Sequence, residues 1–253
     1  MNTPYKHLAP IASMTCLLAA AAACANSEPN KPDPGKAGGG GDAGSNSGGA
    51  PGGNPGSGAE PPPPQTGPFV YPPSVHTGFD SSHTFKVPVT SDLVGVTWSV
   101  EDPSIATIQR VPIPADYGDR CDIGSEWAMV TPKKAGTTRI FAKTADQTAT
   151  ATLVVASYDP AIYGAGERRY NTPDNATAAQ RASCASCHKT ATGVDHSPFT
   201  MAGYADDDIL AAITTGVFKH GYQLTGVNHA WNLTDAEKQG IMPYLRALAP
   251  RGF

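Results

Sequence analysis

The sequence predicts a multidomain chain in which a β-sandwich is followed by a small all-α domain. Three observations lead there. Glycine and proline crowd into one block, because residues 28–68 hold 13 of the chain's 27 glycines and 10 of its 24 prolines. No packed core can form from that composition. Behind the block, short β-prone runs separated by turn residues fill 69–157. From 158 to the end the apolar residues fall at helical spacing instead. The expected organisation is 1–24 as a signal segment, 25–68 as a linker, 69–157 as the β-sandwich and 158–253 as the helical domain.

The first residues fit export. A Leu- and Ala-rich stretch from Leu8 to Ala23 follows Lys6 and His7 and turns polar at Asn26, the pattern of a secretory signal peptide. Ala21-Ala22-Ala23-Cys24 resembles a bacterial lipobox, which implies a lipid on Cys24 and a membrane anchor ahead of a flexible stalk. Plain signal cleavage nearby is the alternative. No run of 18 apolar residues exists to span a bilayer. The net charge of −4 is spread mildly over both halves and offers nothing to nucleic acid.

The strand signal is clearest where Val94, Val96, Trp98 and Val100 alternate with Gly95, Thr97 and Ser99, the period of a strand with one buried face. Further runs follow at 105–108, 127–131, 137–143 and 148–155, with Gly136 and Asp146 marking turns. Regular short strands of this kind suggest a sandwich. The segments from Val96 to Ile108 and from Lys134 to Ile140 resemble the bacterial Ig-like domain, group 2. That resemblance implies that Trp98 is a core residue and that 111–126, with Pro112, Pro114 and Cys121, is inserted between strands.

The chemistry sits at Cys184-Ala185-Ser186-Cys187-His188. Cys-x-x-Cys-His in an exported chain is a strong signal for covalent attachment of one c-type haem. Two thiols three positions apart can add to the two vinyl groups, and the adjoining imidazole of His188 reaches the iron as proximal ligand. A thioredoxin-like pair or half a zinc site would also use Cys-x-x-Cys, but the chain has no second cysteine pair and no βαβ context for them. Of five cysteines, Cys16 leaves with the signal, Cys24 takes lipid, Cys184 and Cys187 take haem, and Cys121 remains alone.

Beyond the motif, 158–253 resembles class I cytochrome c. Tyr163 to Tyr170 is similar to the family's opening segment, and Pro198 stands where the family has a Pro whose carbonyl accepts the proximal His proton. Tyr204 to Gly216 reads as one helix with acids at its start. A last helix begins at Thr234 with a Thr234/Glu237 capping box and places Ile241, Tyr244, Leu245 and Leu248 on one face, with Pro243 breaking the pattern. The family's sixth ligand is commonly a Met from the loop before that helix. Here the loop 217–232 has His220 and His229 and no Met. His229 is the expected distal ligand. His220, Met242, water or another group are the alternatives, and His196 and Met201 fall near Pro198 on the expected proximal side.

These residues imply haem c as the cofactor, one per chain, and electron transfer on an anchored protein facing periplasm or cell surface, with a redox partner the sequence does not name. An enzyme or sensor with an open or displaceable distal site is one alternative. A surface adhesion protein with an accessory haem domain is the other.

Overall fold

A computed structural model describes residues 67–115, 124–173, 183–189, 195–224 and 229–253, the side chain of His220 excepted. The signal segment with Cys24, the linker up to Thr66 and Cys121 lie outside the described residues. The chain divides into two units, Met1–Gly52 and Gly53–Phe253, and everything below concerns the second.

Eight strands form two four-stranded sheets. One has the order β1 (Val70–Tyr71), β3 (Val87–Ser91), β6 (Glu126–Pro132), β5 (Ala106–Val111); the other runs β2 (Ser74–Phe79), β8 (Thr148–Ser157), β7 (Gly136–Lys143), β4 (Thr97–Val100). All pairings are antiparallel except β2 with β8, where Val75 lies opposite Leu153. The alternation of β8 explains its seat, since Ala149, Ala151, Leu153 and Val155 point inward and the threonines between them outward. They meet Val87, Val89, Ala128 and Val130 of the facing sheet in one apolar core. The run at 94–100 is shorter than its alternation suggests. β4 begins only at Thr97, because Gly95 takes φ +71 in a turn that leaves Val94 63% exposed.

Five short helices follow. They are α1 (Tyr163–Asn171), α2 (Cys184–His188), α3 (Pro198–Met201), α4 (Asp206–Thr215) and α5 (Asp235–Arg246). The Thr234/Glu237 capping box is present, and Gly216 ends α4 in the left-handed conformation at φ +70. The expected fold class, a β-sandwich followed by a small all-α domain, is corrected on two counts. Residues 158–253 are not all-α, because Val217–Phe218 (β9) and Tyr222–Gln223 (β10) pair as a two-stranded sheet around Gly221 at φ +77. Val, Phe and Tyr favour extended backbone there, and Gly supplies the turn. Nor do those residues stand alone as a domain.

The second point rests on contacts across residue 157: the His76 N–H of β2 donates to the Ala202 carbonyl at 2.8 Å, Tyr163 stacks on His83 at 3.6 Å, and α3 packs on the first sheet. Helix α3 covers the outer face of the first sheet, where Phe199 packs 4.9 Å from Trp127 and 5.8 Å from Tyr71, ring centre to ring centre. β3 is therefore buried on both faces. Arg246, 2% exposed, donates Nη1 to the Met201 carbonyl at 2.8 Å and Nη2 to that of Tyr204 at 2.6 Å. It also donates to Asp206 Oδ1 at 2.9 and 3.1 Å. The other oxygen of Asp206 accepts from the Tyr158 hydroxyl at 2.6 Å, at the end of β8. Removing one partner of a guanidinium buried and bonded this way would leave an uncompensated charge and be strongly destabilising.

Helices α1 and α5 cross at glycines. A Cβ on Gly166 would stand 1.9 Å from the Gly240 carbonyl oxygen, and one on Gly240 would stand 2.3 Å from that of Ile162. Gly166→Ala should therefore lower the urea midpoint with the slope unchanged, by about 2 kcal/mol or more, the cost of overpacking a closed contact. Gly164→Ala is the control, since its Cβ would meet only Arg168 Nη1 at 3.7 Å. It should be neutral or gain up to about 1 kcal/mol of helix propensity.

Candidate haem attachment site

Helix α2 is five residues long and is Cys-Ala-Ser-Cys-His throughout. Its first turn is held by Ser186, whose N–H and Oγ both donate to the Ser183 carbonyl, at 3.1 and 2.6 Å. Helical spacing puts Cys184 and Cys187 on one side, one turn apart. Cys184 is half-buried against the apolar cluster of Tyr170, Met201, Ile209 and Leu245, while Cys187 is exposed. Both are thiols. Burial pushes the Cys184 thiol above its ordinary pKa, and the charge of Arg169 acts against that rise.

Lys189, just past α2, ties the site to α1. Its ammonium donates to Asn171 Oδ1 at 3.1 Å and lies 5.5 Å from the Tyr170 ring centre. Asn171 in turn donates to the Tyr244 hydroxyl at 3.0 Å. Arg169 is buried beside this junction, donating to the Thr172 carbonyl with its guanidinium 5.0 Å from the Trp231 ring centre.

Two imidazoles, those of His188 and His196, line a cleft of about 560 Å3 together with Tyr170, Leu248 and Pro250. The ring of His196 stacks on that of His188 at 3.6 Å and 15°. The ring of His229 lies 6.2 Å from His188, tilted by 52°. Burial first, and then the neighbouring His188 and His229, hold His196 well below the ordinary histidine pKa, so it is neutral near pH 7. Its Nδ1 is buried without a hydrogen-bond partner. The His229 segment is pinned to α4, because the Trp231 N–H donates to the Ile213 carbonyl at 3.0 Å.

The structure thus brings Cys184, Cys187, His188 and His229 into one neighbourhood. Met242 is buried in the apolar cluster, 4% exposed, and Pro198 occupies the first turn of α3. Sequence reasoning passed over His196 as a proximal bystander and did not single out Tyr170 or Arg169. Its position two residues before Pro198 pointed to the proximal side, but stacking on His188 leaves no periodic signal. Trp98 was expected in the core, yet it is only partly buried; Trp127, 1% exposed, holds the more enclosed position.

Among the described residues, no group of three or more His, Cys, Asp or Glu side chains is arranged to hold a metal ion. No family model matches the chain, and no curated protein matches it. The resemblances to class I cytochrome c and to the bacterial Ig-like domain are corrected accordingly, and with them the description of the chain as a metal-binding cytochrome c. Among the described residues the chain is β-rich, with five short α-helices. Solved structures of a surface-layer protein, SbsC, match in part. Its residues 31–844 share 19% identity over 37% of this chain and 13% of that one, with a TM-score of 0.26. Its domains 1–6 give 19%, 37%, 13% and 0.25. Its domains 4 and 5 give 21%, 35%, 44% and 0.22. The chain spans only 13% of the first of these, and superpositions this partial carry no argument on fold, location or activity. Among the described residues no helix is long and apolar enough to cross a membrane.

A covalently held haem asks for a different donor set from a bare ion. The macrocycle supplies the equatorial ligands, and the chain supplies thiols and one or two axial imidazoles. The residues of α2, the apolar flank at Cys184 and the second imidazole of His229 fit that requirement. Stacking by His196 covers the face of the His188 ring and leaves its in-plane nitrogens to other partners.

The two thiols differ in exposure, and this is measurable. In haem-free protein, iodoacetamide should alkylate Cys187 several-fold faster than Cys184, read by peptide mass spectrometry. Equal rates would contradict the burial of Cys184.

Proposed function

We propose that the chain transfers electrons outside the cytoplasm through one haem c bound covalently by Cys184 and Cys187, on a protein anchored to a bacterial membrane through Cys24. The observation that carries this reading is the Cys-Ala-Ser-Cys-His run occupying the whole of α2 beside an apolar cluster. Exported chains use that run for haem attachment. The bound group supplies reversible one-electron chemistry at its iron.

The chain's own residues hold and insulate that group. Cys184 and Cys187 fix it by two points on one helical turn. His188 would give its imidazole to the metal. His229 would supply a second imidazole, and its ring centre 6.2 Å from that of His188 supports that role. Tyr170, Met201 and Leu245 exclude water on the Cys184 side, which favours a small change of solvation on electron transfer. With both imidazoles on the metal no position would be left for a substrate, which favours an electron carrier over a haem enzyme or sensor. Facing the periplasm or the cell surface, such a carrier passes electrons to a protein partner.

Haem staining after denaturing electrophoresis checks the attachment. Cys184→Ala or Cys187→Ala should weaken the stain, and the double variant should lose it. A double variant that keeps its stain after organic extraction overturns the reading. His229→Ala should turn the ferric spectrum toward high spin and admit cyanide or carbon monoxide readily. An unchanged spectrum that excludes both ligands would remove His229 from the iron.

A further inference from the structure

The stack on His188 has a backing that runs deep into the fold. His196 touches two rings: that of His188, stacked at 3.6 Å and 15°, and that of Tyr170 at 5.9 Å, tilted by 50°. Tyr170 is 1% exposed and packs 5.1 Å from Tyr244, which packs 5.4 Å from Tyr163. Tyr163 stacks at 3.6 Å on His83, whose ring is fixed by a 2.8 Å bond to Asp80. These tyrosines stand on α1 and α5, the two helices locked together at Gly166 and Gly240. His196 therefore packs against a buried cluster of rings, and His188 stacks on His196.

A metal ligand needs its ring plane fixed as well as its nitrogen placed. That job commonly falls to a hydrogen bond on the second ring nitrogen. Here a near-parallel aromatic face covers His188, which restricts rotation of the ring about its own bond to the backbone. The buried Nδ1 of His196 makes no hydrogen bond, and its ring stacks on that of His188.

We infer that His196 is a positioning residue: its ring, backed by Tyr170 and Tyr244, sets the plane of the His188 imidazole at the iron. The inference rests on the haem reading of α2 and adds a residue to it. It assigns His196 no bond to the metal and no proton to move. Any flat, apolar-faced ring of similar size does the same work.

Electron paramagnetic resonance of the frozen ferric holoprotein reads the plane directly. The orientation of an axial imidazole sets how the iron d orbitals split, and the g-values follow. His196→Phe keeps a ring in the stack and should retain the wild-type g-values. His196→Ala removes it and should shift or broaden the largest g-value while the covalent haem and low-spin state persist. Should the alanine variant show wild-type g-values, or should the phenylalanine variant shift as far as alanine, the positioning role is overturned while the haem reading stands. Wild-type protein with no haem absorption at all overturns both, and the optical spectrum of the same sample separates the two failures. If His196→Ala does not fold, the comparison of His196→Phe with His196→Leu, which fills the space without a flat face, decides the same question.

Discussion

Two glycines set the distance on which the helical segment depends. With no side chain at Gly166 and Gly240, α1 and α5 approach until backbone touches backbone, and a Cβ at either position would fall inside a carbonyl oxygen. The close approach brings Tyr163, Tyr170 and Tyr244 into ring contact. That cluster forms the floor against which Cys184 packs and the wall behind His196. A wider crossing would loosen both at once, because aromatic contacts lose their attraction steeply over small gaps. The chain thus builds a rigid seat from three tyrosines and places its chemistry-bearing residues on short, otherwise weak elements above it. A helix of five residues such as α2 has no stability of its own in water.

The second constraint is the junction with the sheets. Arg246 satisfies four acceptor contacts in a space where an unpaired charge would be very costly. Through Asp206 it reaches Tyr158, whose hydroxyl is held above its ordinary pKa by burial and by the adjacent carboxylate. Phe199 and Trp127 close the other side of the junction. The site is therefore mounted on the β-sheets rather than hung from them. A disturbance of β6 at Trp127 reaches α3 and, two residues upstream of Phe199, Ser197 and the His196 stack.

Much of this was legible in local residue patterns. The Thr234/Glu237 cap, the acids opening α4 and the alternation of β8 each state their own structure, because caps and periodicities are short-range physics. The Cys184–His188 run, on which the proposed chemistry rests, is short-range in the same way. Tertiary contacts left weaker traces. Trp98 and Trp127 are both tryptophans in strand-like runs, and only the docking of Phe199 makes the second the more buried. The run at Val94 failed as a strand because one positive-φ glycine turns the chain there. The two-stranded sheet at 217–223 was missed inside a stretch read as loop. The independent all-α domain was also expected in error, since nothing in the sequence around Phe199 marks it as the ring that docks on Trp127 and Tyr71. His196 was visible but undervalued, because a stack between residues eight apart in sequence has no helical or strand period.

The central claim is covalent: one haem on two thiols of one helical turn. The intact mass of the wild-type protein, expressed with its N-terminal segment in a host that attaches haem to exported proteins, tests it most directly after denaturation in acid and organic solvent. The account predicts a polypeptide carrying the added mass of one haem, with neither Cys184 nor Cys187 open to alkylation. A bare polypeptide mass with both thiols alkylated would contradict it.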